Sequence, residues 1–419
     1  MRVLQINKFF YEKGGSERYF FSVSRSLERR GHTVIHFSMR HPDNIESSHS
    51  EYFVGERDYS ERPTRLDDVP KGFSFIRSKE AAARLDRLIK KTRPDIAHLH
   101  NIYHQLTPSI IPVLREVGIP VVMTLHDYKL ICPNYKFFDG KRYCERCAGG
   151  RFYRAALTRC NHGSFVRSLL LSIEAYWQRM TRIYDGVRFF LAPSRYMRER
   201  FIAEGFGADR VIYLAPYVLD GARTGGLDDT KATLENLPSK YVLYFGRLDR
   251  EKGLPTLFAA TDRCDGVRLV VCGDGPLRQI LEAGIGSQRE ARVTFTGYLS
   301  KPVLDRVVAG ATVVVMPSEW PENAPFTVLE AMSHGVPVIV SNMGGLPEFA
   351  DMGGCVVFEV GDSKDLAQRI EELWQNEELA RKIGAEGRRA VDERLTEAKH
   401  MEALETIYRR ALEERRVRG

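Results

Sequence analysis

YVLYFGRLDREKG, residues 241–253, decides the fold. Tyr241–Phe245 is apolar or aromatic at every position, and Gly246–Gly253 is a turn crowded with charge. An unbroken apolar run is buried on both faces, as strands are inside a parallel sheet covered by helices. The same unit recurs downstream, with strands expected at Val267–Cys272, Arg292–Phe295, Thr312–Met316, Pro337–Val340 and Cys355–Phe358. Upstream a second series is expected at Arg2–Asn7, Thr33–Phe37, Asp95–His98, Pro120–Thr124 and Val187–Ala192. Amphipathic stretches such as Ser16–Arg30, Lys79–Thr92 and Pro108–Val117 fall between them. Alternation of strand and helix in two blocks predicts an α/β protein of two doubly wound domains.

The blocks divide at residues 216–240, a Gly-, Asp- and Pro-rich stretch without periodicity that reads as a linker. The expected domains are therefore 1–215 and 241–394, with a closing helix over 395–419. That helix aligns Ala398, Met401, Leu404, Tyr408 and Leu412 on one face.

The chain has 419 residues, 43% hydrophobic and 28% charged, which excludes disordered, collagenous and small disulfide-rich classes. No apolar run approaches the roughly 18 residues of a membrane span. The first residues read as a strand rather than a leader, so the expected location is cytoplasmic. Seven cysteines do not suggest an oxidised framework. A net charge of +7, from 62 basic and 55 acidic residues, suits anionic substrates or an anionic membrane surface but is too small to argue for nucleic acid.

In doubly wound sheets the ligand sits beyond the carboxyl ends of the strands, so the chemistry is sought in the loops there. Gly14 and Gly15 precede a helix, an arrangement that admits close approach of an anion, or is simply a turn capped by Ser16. Arg247 and Lys252 offer a guanidinium fork and a compact ammonium to a diphosphate, unless they belong to a solvated charged loop. Asp274, in the Gly273–Pro276 turn, either caps the next helix or touches a ligand. Strand Thr312–Met316 enters a Pro-containing loop with Glu322, and a helix is expected from Phe326, with Glu330 inside it. Two carboxylates so placed can serve different hydroxyls of one ligand, or can be surface glutamates on a capped helix. His126-Asp127 follows a central strand and can orient a ligand or exchange a proton. His100, Asn101 and His104 lie in a polar loop on the same edge, a candidate acceptor contact.

Taken together, GGSE (14–17), GRLDREKG (246–253), GDGP (273–276) and PENAPFTVLEAM (321–332), followed by HGVPVIVSNMGGLPE, resemble the retaining GT-B glycosyltransferases, more narrowly glycosyltransferase family four. The motifs run in order along essentially the whole chain. The resemblance implies two Rossmann-like domains facing across a cleft, with the last helix crossing back to the N-terminal domain. It implies that Arg247 and Lys252 bind the donor diphosphate, that Glu330 holds the nucleotide ribose and that Glu322 meets the donor sugar. Asn323, Phe326 and Thr327 would add loop contacts, Gly14 and Gly15 would approach the donor phosphates, and His126 would lie near the transferred sugar. Glu322, His126, Arg247 and Lys252 are thus the implied catalytic set, with no metal needed for catalysis. Partners implied are a nucleoside-diphosphate sugar and a glycan or lipid-linked glycan, in cell-surface polysaccharide or lipopolysaccharide assembly. Asn323 and Pro325 depart from the family's usual Gly-Phe-Gly, which stiffens the loop.

Residues 129–168 form a Cys-rich basic insertion. Cys132, Cys144, Cys147 and Cys160 lie close in sequence, with one Cys-x-x-Cys pair, so a structural zinc and four unligated thiols are both open readings. Basic and aromatic residues alternate there and lead into FVRSLLLSI, residues 165–173. The two readings of that run are a peripheral membrane contact and a helix buried under a solvated loop. Rival functions are another GT-B enzyme, such as a sugar-nucleotide epimerase, and a non-catalytic sugar-nucleotide-binding assembly protein.

Overall fold

A computed structural model describes residues 1–56, 75–219, 237–284 and 292–418. Most of the expected linker, 220–236, lies outside the described residues. The chain separates into two compact units. One comprises Met1–Asp139, Cys144–Ala215 and Ala398–Gly419; the other comprises Gly140–Tyr143 and Pro216–Glu397.

The first unit is built on a parallel sheet of β1 (Arg2–Ile6), β2 (Thr33–Phe37), β3 (Ile96–Leu99), β4 (Val121–Thr124), β5 (Phe189–Ala192) and β6 (Val211–Tyr213), in the order β2-β1-β3-β4-β5-β6. Val3, Leu4, Ile96, Val122 and Phe190 are wholly buried, as the unbroken apolar runs require. Helices begin on hydroxyl caps: Ser78 accepts from the Ala81 amide, Ser164 from Arg167 and Ser194 from Met197.

The helix Glu397–Arg418 belongs to this first unit. Met401, Leu404 and Tyr408 are fully buried, worth roughly 1.5–3 kcal/mol each as an upper bound. Its polar residues are anchored too: His400 Nε2 lies 3.0 Å from Tyr19 Oη and Glu405 accepts from Arg30 Nε at 2.5 Å. Ala398, expected on the buried face, is exposed because the helix has barely begun there.

The second unit carries β7 (Val242–Phe245), β8 (Leu269–Cys272), β9 (Val293–Gly297), β10 (Val313–Met316), β11 (Val338–Ser341) and β12 (Cys355–Phe358), parallel, in the order β12-β11-β10-β7-β8-β9. Its core joins Val242, Tyr244, Val313 and Ile339 to Leu254, Leu257, Leu366 and Ile370 from the flanking helices. Each sheet reverses its order once, between β1 and β3 and between β7 and β10, and a crevice opens at such a reversal. No helix among the described residues is long and apolar enough to cross a membrane.

Candidate functional site

In the second unit the loops after β7 and β10, the two strands at the reversal, converge on one carboxylate. Glu322 is 5% exposed. Its Oε1 accepts from Lys252 Nζ at 2.6 Å, Ser318 Oγ at 2.7 Å and Trp320 Nε1 at 2.7 Å. A carboxylate withdrawn from water needs such donors, and one supplied by an ammonium cancels its charge. Lys252 Nζ also lies 5.2 Å from the Trp320 ring centre. None of these bonds uses Oε2.

Backbone contacts lock this geometry. Gly253 has φ +69°, and a Cβ there would lie 1.8 Å from the Pro317 carbonyl oxygen. Gly344 has φ +64°, and a Cβ there would lie 2.4 Å from the Glu322 carbonyl oxygen. Only glycine lets these loops touch in that conformation. The Gly345 amide donates to that Glu322 oxygen at 2.7 Å, and Ser341 Oγ donates to the Ser318 carbonyl at 2.6 Å.

Arg247 is more exposed than Lys252. Its guanidinium pairs with Asp249 at 3.0 Å and Glu251 at 3.3 Å, with 59% of the side chain open to solvent. Such pairs are weak, so the guanidinium can exchange them for a stronger anion. The helix Phe326–Ser333 follows Pro325 with no side-chain cap on its first turn, which leaves N–H donors for an anion. Phe326 and Thr327 stand half-buried at that end, Asn323 is buried before it and Glu330 is buried within it. Asp274 does not cap a helix: it accepts from the Gly275 amide at 2.7 Å and from Arg278 at 3.3 Å, and the helix starts only at Arg278.

The first unit has a different kind of site. His126, half-buried just beyond β4, lies 3.0 Å from His100, Nε2 to Nδ1. His100 Nε2 is 2.8 Å from Gln5 Oε1, and Gln5 Nε2 donates to Tyr408 Oη at 3.5 Å. Tyr408 Oη is 2.7 Å from His98 Nδ1, and His98 Nε2 is 2.7 Å from Thr124 Oγ1. Gln5 Oε1 can only accept, so a neutral His100 donates to it and accepts from His126, while Gln5 Nε2 donates to Tyr408. Burial pushes His98 and His126 down to about 3 and His100 well below the usual imidazole range, so all three are neutral.

Beside them, burial lowers the Lys8 ammonium, opposed by Asp127 and Glu17, and raises the Asp127 carboxyl. Asp127 Oδ1 accepts from Tyr103 Oη at 3.2 Å and from the Lys129 amide at 2.9 Å. The helix Gly15–Arg29 starts one residue before Ser16, which therefore cannot cap it; Gly14 precedes it in an extended conformation with no side-chain cap. Both glycines are exposed.

The expected acceptor loop is placed differently from its reading. His100 is fully buried and hydrogen-bonded to His126, so its ring is closed to direct contact with an acceptor. His104 stacks on Phe75 at 3.8 Å and lies 3.3 Å from Glu174, which also accepts from Lys129 at 2.7 Å. Asn101 is 7% exposed, its backbone N–H donating to Asn7 Oδ1 at 3.1 Å.

All seven cysteines carry free thiols. Cys147 packs with Phe152, Ala155 and Ala175, and Cys132 Sγ donates to Asn134. Burial raises both thiols to about 12. Among the described residues no group of three His, Cys, Asp or Glu side chains is placed to hold a metal ion.

Sequence reasoning missed Ser318, Trp320, Gln5, Lys8 and Tyr408. Trp320, two residues from Glu322, was the one legible signal; the others become partners only through the fold.

Two family models match the chain: "Glycosyltransferase Family 4" over residues 13–216 and "Glycosyl transferases group 1" over residues 228–390. A sulfoquinovosyl transferase, SQD2, of Arabidopsis thaliana is 33% identical over 310 residues, 72% of this chain and 54% of its own length. A GDP-mannose-dependent alpha-(1-6)-phosphatidylinositol monomannoside mannosyltransferase of Mycobacterium tuberculosis is 32% identical over 50% of this chain and 58% of its own length. The chain thus spans about half the length of these curated relatives. Among solved structures, the sucrose-phosphate synthase of Thermosynechococcus elongatus aligns with TM-score 0.68 and 18% identity, covering 98% of both chains. Anabaena Alr3699/HepE in complex with UDP aligns with TM-score 0.66 and 16% identity, covering 97% of this chain and 100% of its own. At that identity these structures share the fold, which is GT-B.

Proposed function

The chain belongs to the glycosyltransferases of family 4 and group 1, and from that premise we propose that it transfers a sugar from a nucleoside diphosphate to a hydroxyl of a glycan or lipid-linked glycan, with retention at the anomeric carbon. The observation that carries this is the Lys252–Glu322 pair at 2.6 Å, with Oε2 of the carboxylate uncommitted and Arg247 on the same β7 loop. The donor diphosphate takes Lys252 and Arg247 as its counter-ions, with the first-turn amides of the helix Phe326–Ser333. Glu322 then accepts from hydroxyls of the donor sugar, and Glu330 from the ribose.

The bond from the anomeric carbon to the diphosphate oxygen breaks, and its electron pair stays on the diphosphate. The acceptor oxygen bonds the same face of that carbon, and its proton passes to the departing phosphate. Charge growing on the leaving group is met by Lys252 and Arg247, already in place. In the first unit His126, neutral and held by His100, serves as a hydrogen-bonding group rather than a charge. The mycobacterial relative named for phosphatidylinositol monomannoside supports a lipid-linked acceptor, and we place the reaction at the inner face of the cytoplasmic membrane, in cell-surface polysaccharide or lipopolysaccharide assembly.

The test is release of nucleoside diphosphate from UDP-, GDP-, ADP- and dTDP-sugars, with and without a membrane extract as acceptor. One donor is expected to turn over in the wild type and to fail in Glu322→Gln. Tight donor binding with no turnover under any acceptor condition would instead mark a sugar-nucleotide-binding protein.

A further inference from the structure

The helix Phe165–Met180 is built inside out. Its buried residues are Ser168, Leu171, Ser172, Glu174, Ala175 and Gln178, so polar groups dominate the inward face. They are satisfied there: Ser172 Oγ donates to the Phe152 carbonyl at 2.8 Å and Glu174 accepts from the buried Lys129 at 2.7 Å. The outward face is apolar. Phe165, Ile173 and Met180 are 45%, 41% and 82% exposed. Leu169, Leu170 and Trp177 stand half-buried between them, at the three- and four-residue steps that make one stripe. The neighbouring short helix Tyr153–Thr158 adds Tyr153 and Leu157, 48% and 70% exposed. Scattered exposed apolar residues mean nothing, but a stripe of this length marks a surface made to be covered.

The charge around the stripe is mainly basic, although Asp185 beyond its end pairs with Arg182 at 2.7 Å. Residues 151–182 hold six arginines and a single acid, Glu174, which is buried and paired. The C-terminal end of the stripe opens into a groove of about 580 Å³, where Trp177 and Ile183 face Arg77, Lys79 and Arg115, with Glu116 the one acid. A second copy docked symmetrically on this face would bring arginine against arginine, which disfavours a homodimer. Apolar side chains flanked by cations fit the boundary between acyl chains and anionic headgroups.

We propose that this face of the first unit seats on an anionic bilayer, with Ile173, Trp177 and Met180 entering the acyl boundary and the arginines meeting lipid phosphates. The groove beside Trp177 would then take a headgroup phosphate. This deepens the reading of a lipid-linked acceptor, and its test measures binding rather than turnover.

The full chain is sedimented with vesicles of phosphatidylcholine alone and of phosphatidylcholine with 30% phosphatidylglycerol. Binding is expected only to the anionic vesicles, and to weaken in 0.5 M salt. Ile173→Glu combined with Met180→Glu is expected to weaken it at least tenfold, with the melting temperature and donor binding unchanged, because both side chains are exposed. Arg154→Ser with Arg159→Ser is expected to weaken it several-fold and to flatten the salt dependence. Equal binding to both vesicles, no binding, variants that bind as the wild type, or variants that instead dissolve an oligomer would each overturn the proposal. Vesicle binding without donor turnover would leave this surface standing and remove the transferase reading; turnover without vesicle binding would do the reverse.

Discussion

The two units solve the same problem, holding polar groups where a ligand must meet them, in opposite ways. In the second unit the solution is charge: an ammonium, a hydroxyl and an indole N–H converge on one carboxylate oxygen. In the first unit it is neutrality: three imidazoles, an amide and a phenol are joined by hydrogen bonds with no net charge. The difference teaches that a charged cluster is arranged to change partners, whereas a neutral chain is arranged to keep them. Lys252 and Glu322 neutralise each other, and in the proposed reaction a diphosphate and a sugar would replace that pairing. His126 is fixed before anything binds.

The largest effect expected breaks the charged half. Lys252→Ala leaves Glu322 buried without its cation and the leaving group without its counter-charge. We expect a loss of about 10²–10³ in kcat/KM, the size of losing one strong electrostatic contact to a developing anion. Steady-state release of nucleoside diphosphate reads it, and a loss below tenfold would remove Lys252 from the chemistry.

Acid attacks the neutral half. His98 and His126, pushed down to about 3 by burial, stay unprotonated in the folded state while their unfolded counterparts take protons below about 6.5. The unfolded state then binds more protons, so stability is full above pH 6.5 and falls as the pH drops toward 3. Each imidazole contributes a slope approaching about 1.4 kcal/mol per pH unit. Rate-corrected hydrogen exchange at pH 7 and pH 5 should show protection lost in β3 and β4. Equal losses in β7 and β10 would erase the contrast.

Tyr408→Phe sharpens it further. The change removes only the hydroxyl that joins Gln5 to His98, both buried, at about 1–3 kcal/mol. The first unit should unfold earlier while donor affinity in the second stays within twofold. Smallest of all, excess EDTA should leave turnover unchanged, because Arg247 and Lys252 supply the positive charge; loss restored by Mg²⁺ or Mn²⁺ would contradict that.

The fold was legible because a parallel sheet writes itself as unbroken apolar runs, and every expected strand is found within a residue or two. The strand β6 was missed because three residues, Val211–Tyr213, carry too little pattern at a sheet edge. Arg247, Lys252, Glu322 and Glu330 could be picked out as types at strand ends. That Lys252 bonds Glu322 could not, because 70 residues separate them. The histidines were harder: His98 reads as an ordinary strand residue, and its partner Tyr408 lies 310 residues away. The run FVRSLLLSI misleads in the opposite sense, since its serines go inward and Ile173 outward.

The helix Glu397–Arg418 has a consequence for synthesis. Residues up to Ala215 leave the ribosome with Gln5, His98 and Tyr19 still lacking Tyr408 and His400. At about 5–20 residues per second the wait for Ala398 onward lasts on the order of 10–40 s. The second unit, whose strands all fall inside that interval, can finish first. Of the two units, the one begun first is therefore the last to be completed, and until then the surface that Met401, Leu404 and Tyr408 cover stays open.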